Sequence, residues 1–267
     1  MNLELKGRRA LVTGGSRGIG KAVALLLAQE GASVALLARN AQVLEEAAEE
    51  LTAETGSKVV GVRADTTSDE QVRAAVAQAV KLLGGGIDIL VNAAAEPAGF
   101  AAPPKLAEIT GEHFHAEMDT KVMGYLRCAR EVAPGMQAQG WGRIVNISGL
   151  GARQTGNAVG SMRNIAVAAL TKNLADELGP QGINVTVVHP GLTRTERTAP
   201  LVAERAAAQG VLPQAIEAQM AAGNSIQRIV DASEVANVVV FLCSPKSRAI
   251  NGDAVAAGGG APRSIHY

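Results

Sequence analysis

A three-layer α/β sandwich, built on a doubly wound sheet of seven parallel strands, is the architecture this chain predicts. Three observations predict it. Short β-branched runs alternate with longer helical patterns along the 267 residues. The strand runs are almost wholly apolar, as strands buried on both faces are. A glycine-rich turn at residues 13–20 joins the first strand to the first helix.

Strands are expected at residues 9–13, 33–38, 58–63, 87–92, 143–147 and 184–189, with a short last one at 253–256. Helices are expected at 18–30, 41–55, 68–83, 110–139, 160–178 and 233–242. Ser68, Thr110 and Ser233 each precede an acidic residue near a helix start, which is an N-cap pattern. Residues 196–226 are Ala-rich and weakly periodic, and they carry Pro200 and Pro213. They read as a mobile lid over the C-terminal ends of the strands. Nothing resembling a linker or an internal repeat interrupts the chain, so residues 1–267 are read as one domain.

Lys plus Arg and Asp plus Glu both number 25, which gives a formal net charge of zero and removes the basic footprint of a nucleic-acid binder. The two cysteines, Cys128 and Cys243, lie in helical patterns and read as buried thiols in a reducing compartment. No apolar run approaches the roughly 18 residues that span a membrane, and the first strand begins almost at once. The expectation is a cytoplasmic protein without a membrane partner. Aromatics make up 2% of the chain, so its core must be aliphatic.

In the turn Thr13-Gly14-Gly15-Ser16-Arg17-Gly18-Ile19-Gly20, each glycine has a task. Gly14 permits the sharp turn, Gly18 lets backbone approach a pyrophosphate, and Gly20 lets helix and strand pack closely. The following helix presents its N–H groups and positive dipole end to an anion. This is the Rossmann-type arrangement for a dinucleotide.

Further segments follow in order: Asp65 after the third strand, Asp88-Ile-Leu-Val-Asn92-Ala-Ala-Ala95, Arg143-Ile-Val-Asn-Ile-Ser148, Leu170-Thr-Lys-Asn-Leu-Ala-Asp-Glu-Leu178, Pro190-Gly191-x-x-x-Thr195 and Ile250-Asn251-Gly252 before Gly258-Gly259. On these segments the chain resembles the short-chain dehydrogenase/reductase family over nearly its whole length. The resemblance implies a nicotinamide dinucleotide held by Gly14, Ser16, Arg17, Gly18, Ile19 and Gly20. It places Asp65 at the adenine, Asn92 and Ala93 along the cleft, and Pro190, Gly191 and Thr195 near the nicotinamide amide or pyrophosphate. Where an NAD-dependent relative carries an acid after the second strand, this chain has Arg39. Arg39 and Arg17 suit a 2′-phosphate, which favours NADP(H) over NAD(H). The family also implies a homo-tetramer or dimer and a small-molecule substrate.

Enzymes of the family use a Tyr as acid/base, a Lys four residues later, a substrate-orienting Ser and a helix Asn. Counted back from the ungapped stretch Leu170 to Gly191, the Tyr position falls at Gly160 and the Lys position at Asn164. The second of the family's paired serines is replaced by Gly149, leaving Ser148, and the Asn position holds Lys121. Lys121 and Asn164 thus look like a reciprocal exchange between neighbouring helices, with Lys121, Ser148 and Asn164 as the catalytic candidates. The competing reading makes Lys121 an exposed residue paired with Glu117 one turn earlier. Tyr125 is read as packing, Tyr267 as either a tail or a visitor to a neighbouring subunit, and His189 as a lesser candidate near the cleft. Arg153, Arg163, Arg194 and Arg197 fall at the C-terminal edge of the sheet and suggest an anionic carbonyl, alcohol or enoyl substrate. The alternatives to an enzyme are a nucleotide-binding sensor and a structural subunit of a hetero-oligomer.

Overall fold

A computed structural model describes residues 1–95 and 102–262. The chain runs β1 (Arg9–Thr13), α1 (Gly18–Gln29), β2 (Ser33–Ala38), α2 (Ala41–Thr55), β3 (Val59–Arg63), α3 (Asp69–Leu83) and β4 (Ile89–Asn92). It continues through α4 (Gly111–Met118), a π-helical turn at Asp119–Met123, α5 (Gly124–Gln139), β5 (Gly142–Ile147), α6 (Ala158–Leu178) and β6 (Ile183–Pro190). Then come β7 (Thr193–Arg194), α7 (Thr198–Gln209), α8 (Pro213–Ala221), β8 (Val230–Asp231), α9 (Ala232–Leu242) and β9 (Ala254–Ala257).

The seven-stranded sheet has the order β3-β2-β1-β4-β5-β6-β9, with every pairing parallel. Alternation along the strands feeds two cores. Ala10, Val12, Val34 and Leu36 face the helices α1, α2 and α9, through Val23, Leu27, Leu44, Leu51, Val235 and Val239. Leu11, Ala35 and Leu37 face α3, α5 and α6, through Val72, Val76, Cys128, Val132, Met136 and Leu178. This is the expected three-layer sandwich. Strand order reverses between β1 and β4, so Thr13 and Asn92 end side by side at the switch point, where such sheets bind ligands.

The caps explain several helix starts. Asn40, Ser68, Thr110 and Asn157 accept backbone N–H bonds from Val43, Gln71, His113 and Gly160. Ser233 does not cap its helix. Asp231 does, and Glu234 closes a capping box by accepting the Asp231 N–H at 2.9 Å. The expected single helix at 110–139 is continuous in direction but widened in the middle by the π-helical turn, which propensity does not encode.

Residues 196–226 form the helix pair α7 and α8, which has a small core of its own in Val202, Ala206 and Ile216, with Met220 packed on it. Among the described residues no helix is long and apolar enough to cross a membrane, and both cysteines are buried free thiols.

Candidate active site

The loop after β1 is set by backbone contacts. Thr13 Oγ1 accepts the N–H groups of Ala93 and Ala94 at 3.0 and 3.1 Å, tying the ends of β1 and β4 together. Gly14 has φ +66°, and a Cβ there would lie 2.9 Å from the Ala93 carbonyl oxygen. A Cβ on Gly20 would lie 2.3 Å from the carbonyl oxygen of Gly14. Only glycine permits either approach, and the result is that the N-terminus of α1 faces open space.

That space is a cleft of about 1120 Å³ along the C-terminal edge of the sheet. Gly14, Ser16, Arg17, Gly18, Ile19, Gly20, Arg39, Asp65, Ala93, Pro190, Gly191 and Thr195 all line it. Asn92 does not. It is wholly buried behind the wall, where its Nδ2 donates to Asn146 Oδ1 at 2.9 Å, and Asn146 Nδ2 donates to Thr171 Oγ1 at 2.9 Å. Its placement on the cleft surface is therefore corrected: the amide N–H of this strand-end residue is bonded inside the sheet, while its Oδ1 finds no hydrogen-bond partner among the described residues.

At the other end of the cleft, Lys121, Ser148 and Asn164 meet. The widened turn at Asp119–Met123 is held by Arg127, whose Nη2 donates to Asp119 Oδ1 at 2.8 Å and whose Nη1 donates to the carbonyls of Thr66 and Asp119 at 3.2 and 3.4 Å. The turn carries Lys121 inward. Its Nζ donates to the Ser148 carbonyl at 2.8 Å and to Asn164 Oδ1 at 3.1 Å, and Ser148 Oγ donates to the Asn164 carbonyl at 3.0 Å.

Lys121 is only 4% exposed. The reading of Lys121 as an exposed partner of Glu117 is overturned, because Glu117 pairs instead with Arg163 of α6. Burial, reinforced by the nearby Arg163 charge, brings the Lys121 ammonium down to about 7 from its ordinary 10.5, against the opposing pull of Glu117.

Gly160, at the position where the family's Tyr is expected, sits in the first turn of α6. A Cβ there would lie 2.8 Å from the Asn157 carboxamide that caps the helix. Tyr125 packs as expected: it is buried, its hydroxyl donates to the Ile147 carbonyl at 2.8 Å, and burial drives its pKa upward. His189 is buried in β6 and is not part of the cleft lining. Tyr267 lies outside the described residues.

The four arginines do not converge. Arg194 bonds Glu217 at 2.8 Å, Arg153 donates to the Ala254 carbonyl at 3.3 Å, and neither lines the cleft. Arg163 and Arg197 do line it, but Arg163 is engaged by Glu117. Proximity to the sheet edge in sequence did not report where these long side chains point.

Comparison with known proteins gives the family. Residues 14–261 match the family model described as enoyl-(acyl carrier protein) reductase. An NADPH-dependent reductase of Bacillus subtilis, BacG, is 32% identical over 260 residues, 97% of this chain and 99% of its own length. A short-chain reductase protein of Streptomyces niveus, NovJ, is 34% identical over 254 residues, 95% of this chain and 93% of its own. The crystal structure of L-sorbose reductase from Gluconobacter frateurii, complexed with NADPH and L-sorbose, superposes with a TM-score of 0.91. It is 31% identical and covers 99% of this chain and 100% of that one. The glycine cradle at the switch point and these matches lead to one assignment: the chain belongs to the short-chain dehydrogenase/reductase family and is an NAD(P)-dependent oxidoreductase.

Proposed function

We propose that this protein is an NADP(H)-dependent oxidoreductase with a non-standard catalytic site, acting on a small carbonyl, alcohol or enoyl substrate. The observation that carries the reading is the hydrogen-bonded group Lys121, Ser148 and Asn164, which opens on the same cleft as the glycine loop. The cradle of Gly14, Gly18 and Gly20 fits a dinucleotide, because the backbone there is bare and a Cβ on Gly14 or Gly20 would clash. Ser16, Arg17, Ile19, Asp65, Ala93, Pro190, Gly191 and Thr195 complete the proposed cofactor contacts. Arg39 stands at the end of β2 for a 2′-phosphate, and the NADPH dependence of the Bacillus relative favours the same choice.

When bound, the cofactor supplies or accepts the hydride. The residues of this chain do the rest. Lys121 places an ammonium group where the family's lysine is expected, with Asn164 as its acceptor and the Ser148 carbonyl fixing its direction. An anionic substrate would meet Arg197 at the cleft wall, and α7 and α8 would act as the lid that excludes water.

A catalytically silent nucleotide sensor is the second reading, favoured by Gly160 at the Tyr position. A titration followed by a turnover assay tests both. Purified protein is titrated with NADPH and NADH, following nicotinamide fluorescence and melting temperature. Tight NADPH binding that is nearly abolished in Lys121→Ala supports the oxidoreductase site, whereas no binding of either nucleotide at millimolar concentration overturns it. Reduction of any carbonyl compound by the NADPH-loaded protein excludes the silent sensor.

A further inference from the structure

We propose that Lys121 is the proton donor of the reaction, with Arg163 and Glu117 as positioning residues. This rests on the oxidoreductase reading above. The cleft end formed by Ser148, Gly149 and Asn164 presents Lys121, Tyr125, Arg163 and the Ser148 hydroxyl as candidate donors. Tyr125 is committed to the Ile147 carbonyl and resists ionisation in its buried position. Arg163 is a guanidinium, which does not release a proton in a protein, and it is paired with Glu117. The Ser148 hydroxyl donates into the Asn164 carbonyl and is a weak acid.

Lys121 meets the geometric requirement. An ammonium group has three N–H bonds, and two are engaged, by the Ser148 carbonyl and by Asn164 Oδ1. Those two acceptors fix the nitrogen, leaving the third N–H as the transferable one on a group that lines the cleft. The charged and titratable groups facing it are Glu117 from α4, Arg163 from α6 and His189 from β6, with Tyr125 on its own helical segment. Arg163 and burial favour releasing the proton, and Glu117 moderates both.

The step balances. A carbonyl carbon receives a hydride from reduced nicotinamide while its oxygen takes a proton from Nζ, giving an alcohol, oxidised nicotinamide and a neutral Lys121 amine. Water in the cleft then returns a proton to the amine. In the oxidative direction the neutral amine accepts the proton, so reduction is favoured below the titration midpoint of Lys121 and oxidation above it.

The test combines spectroscopy with a substitution that separates charge from proton transfer. Lysine Cε signals of the whole protein are followed by NMR against pH, with and without NADPH. The signal missing from Lys121→Arg identifies Lys121. Its midpoint is expected near 7, well below the ordinary lysine value of 10.5, and is expected to move upward in Arg163→Gln. Lys121→Arg keeps a cation near Asn164 but holds its proton. It is expected to bind NADPH within about threefold of wild type yet to reduce phenanthrenequinone at least about a hundredfold more slowly, the usual scale for a lost general acid.

Titration of Lys121 near the ordinary lysine value of 10.5 overturns the proposal, as does wild-type quinone reduction by Lys121→Arg. If wild type reduces no quinone, the NMR midpoint decides alone. Failure of wild type to bind NADPH overturns the oxidoreductase reading itself. Normal NADPH binding with an ordinary Lys121 midpoint overturns only the donor role.

Discussion

The carboxylate of Glu196 accepts a hydrogen bond from the backbone N–H of Gly18 at 3.2 Å. Gly18 opens α1, whose first turn contains no acidic residue and whose N-cap, Arg17, makes no side-chain cap bond. Glu196 therefore brings a negative charge from the segment before α7 to the site where a dinucleotide's pyrophosphate is expected. Removing that charge is expected to help the cofactor. Glu196→Gln should tighten NADPH binding by about two- to fivefold at low salt, the scale of about 0.3–1 kcal/mol for an exposed charge at a helix end, and the gain should shrink as salt is added. Fluorescence titration at two ionic strengths measures it.

Arg39 lies at the C-terminal end of β2, and its carbonyl accepts a hydrogen bond from Arg63 Nε at 3.1 Å, which braces the loop. Replacing its guanidinium with a carboxylate would put like charges together at a 2′-phosphate while offering an acceptor to a 2′-hydroxyl. Arg39→Asp is expected to weaken NADPH at least about tenfold and to reverse the preference toward NADH. Equal affinities before and after the substitution would remove Arg39 from the cofactor site.

The strands and most of the helices were legible because Val, Ile, Leu and Ala runs encode burial on two faces, and the glycine loop because three separate backbone constraints leave a fixed spacing. The meeting of Lys121 with Asn164 was legible only as an exchange of residue types between two aligned positions. Its geometry depends on the π-helical turn, and that depends on Arg127 reaching Asp119 and Thr66, contacts that no local pattern announces. The pairing of Arg163 with Glu117 was hidden for the same reason, since 46 residues separate them. Asn92 carried a usable clue: Asn146 occupies a matching place in the adjacent apolar strand, and two such amides in register must find each other.

The buried chain Asn92, Asn146 and Thr171 makes a stability prediction. Thr171 Oγ1 accepts from Asn146 and donates to the Val167 carbonyl at 2.8 Å, so Thr171→Val keeps the shape but leaves the Asn146 amide without that acceptor. The expected cost is about 1–3 kcal/mol, the penalty for an unsatisfied buried donor. At about 2–4 °C per kcal/mol for a chain of this size, calorimetry should show a melting temperature several degrees lower. Because the chain lies behind the cleft wall, NADPH affinity at 25 °C should change little.

His189 makes the last prediction, through pH. It is 2% exposed on β6, and its Nδ1 has no hydrogen-bond partner among the described residues. Burial first, then the positive charges of Arg153 and Lys121, lower its pKa to about 4 from the ordinary 6.5. The folded state thus favours neutral imidazole. Between pH 6.5 and 4 the unfolded chain binds a proton that the folded chain does not, so this contribution is full above 6.5 and is lost as pH falls toward 4. The loss is of order 3 kcal/mol at most, and carboxylates titrating in the same range will add to the observed slope. Comparison with His189→Gln isolates it, since glutamine cannot ionise. Denaturant unfolding at pH 7.5 and 4.5 should show wild type losing more stability than the variant, and parallel losses would mean that His189 keeps an ordinary pKa in the folded protein.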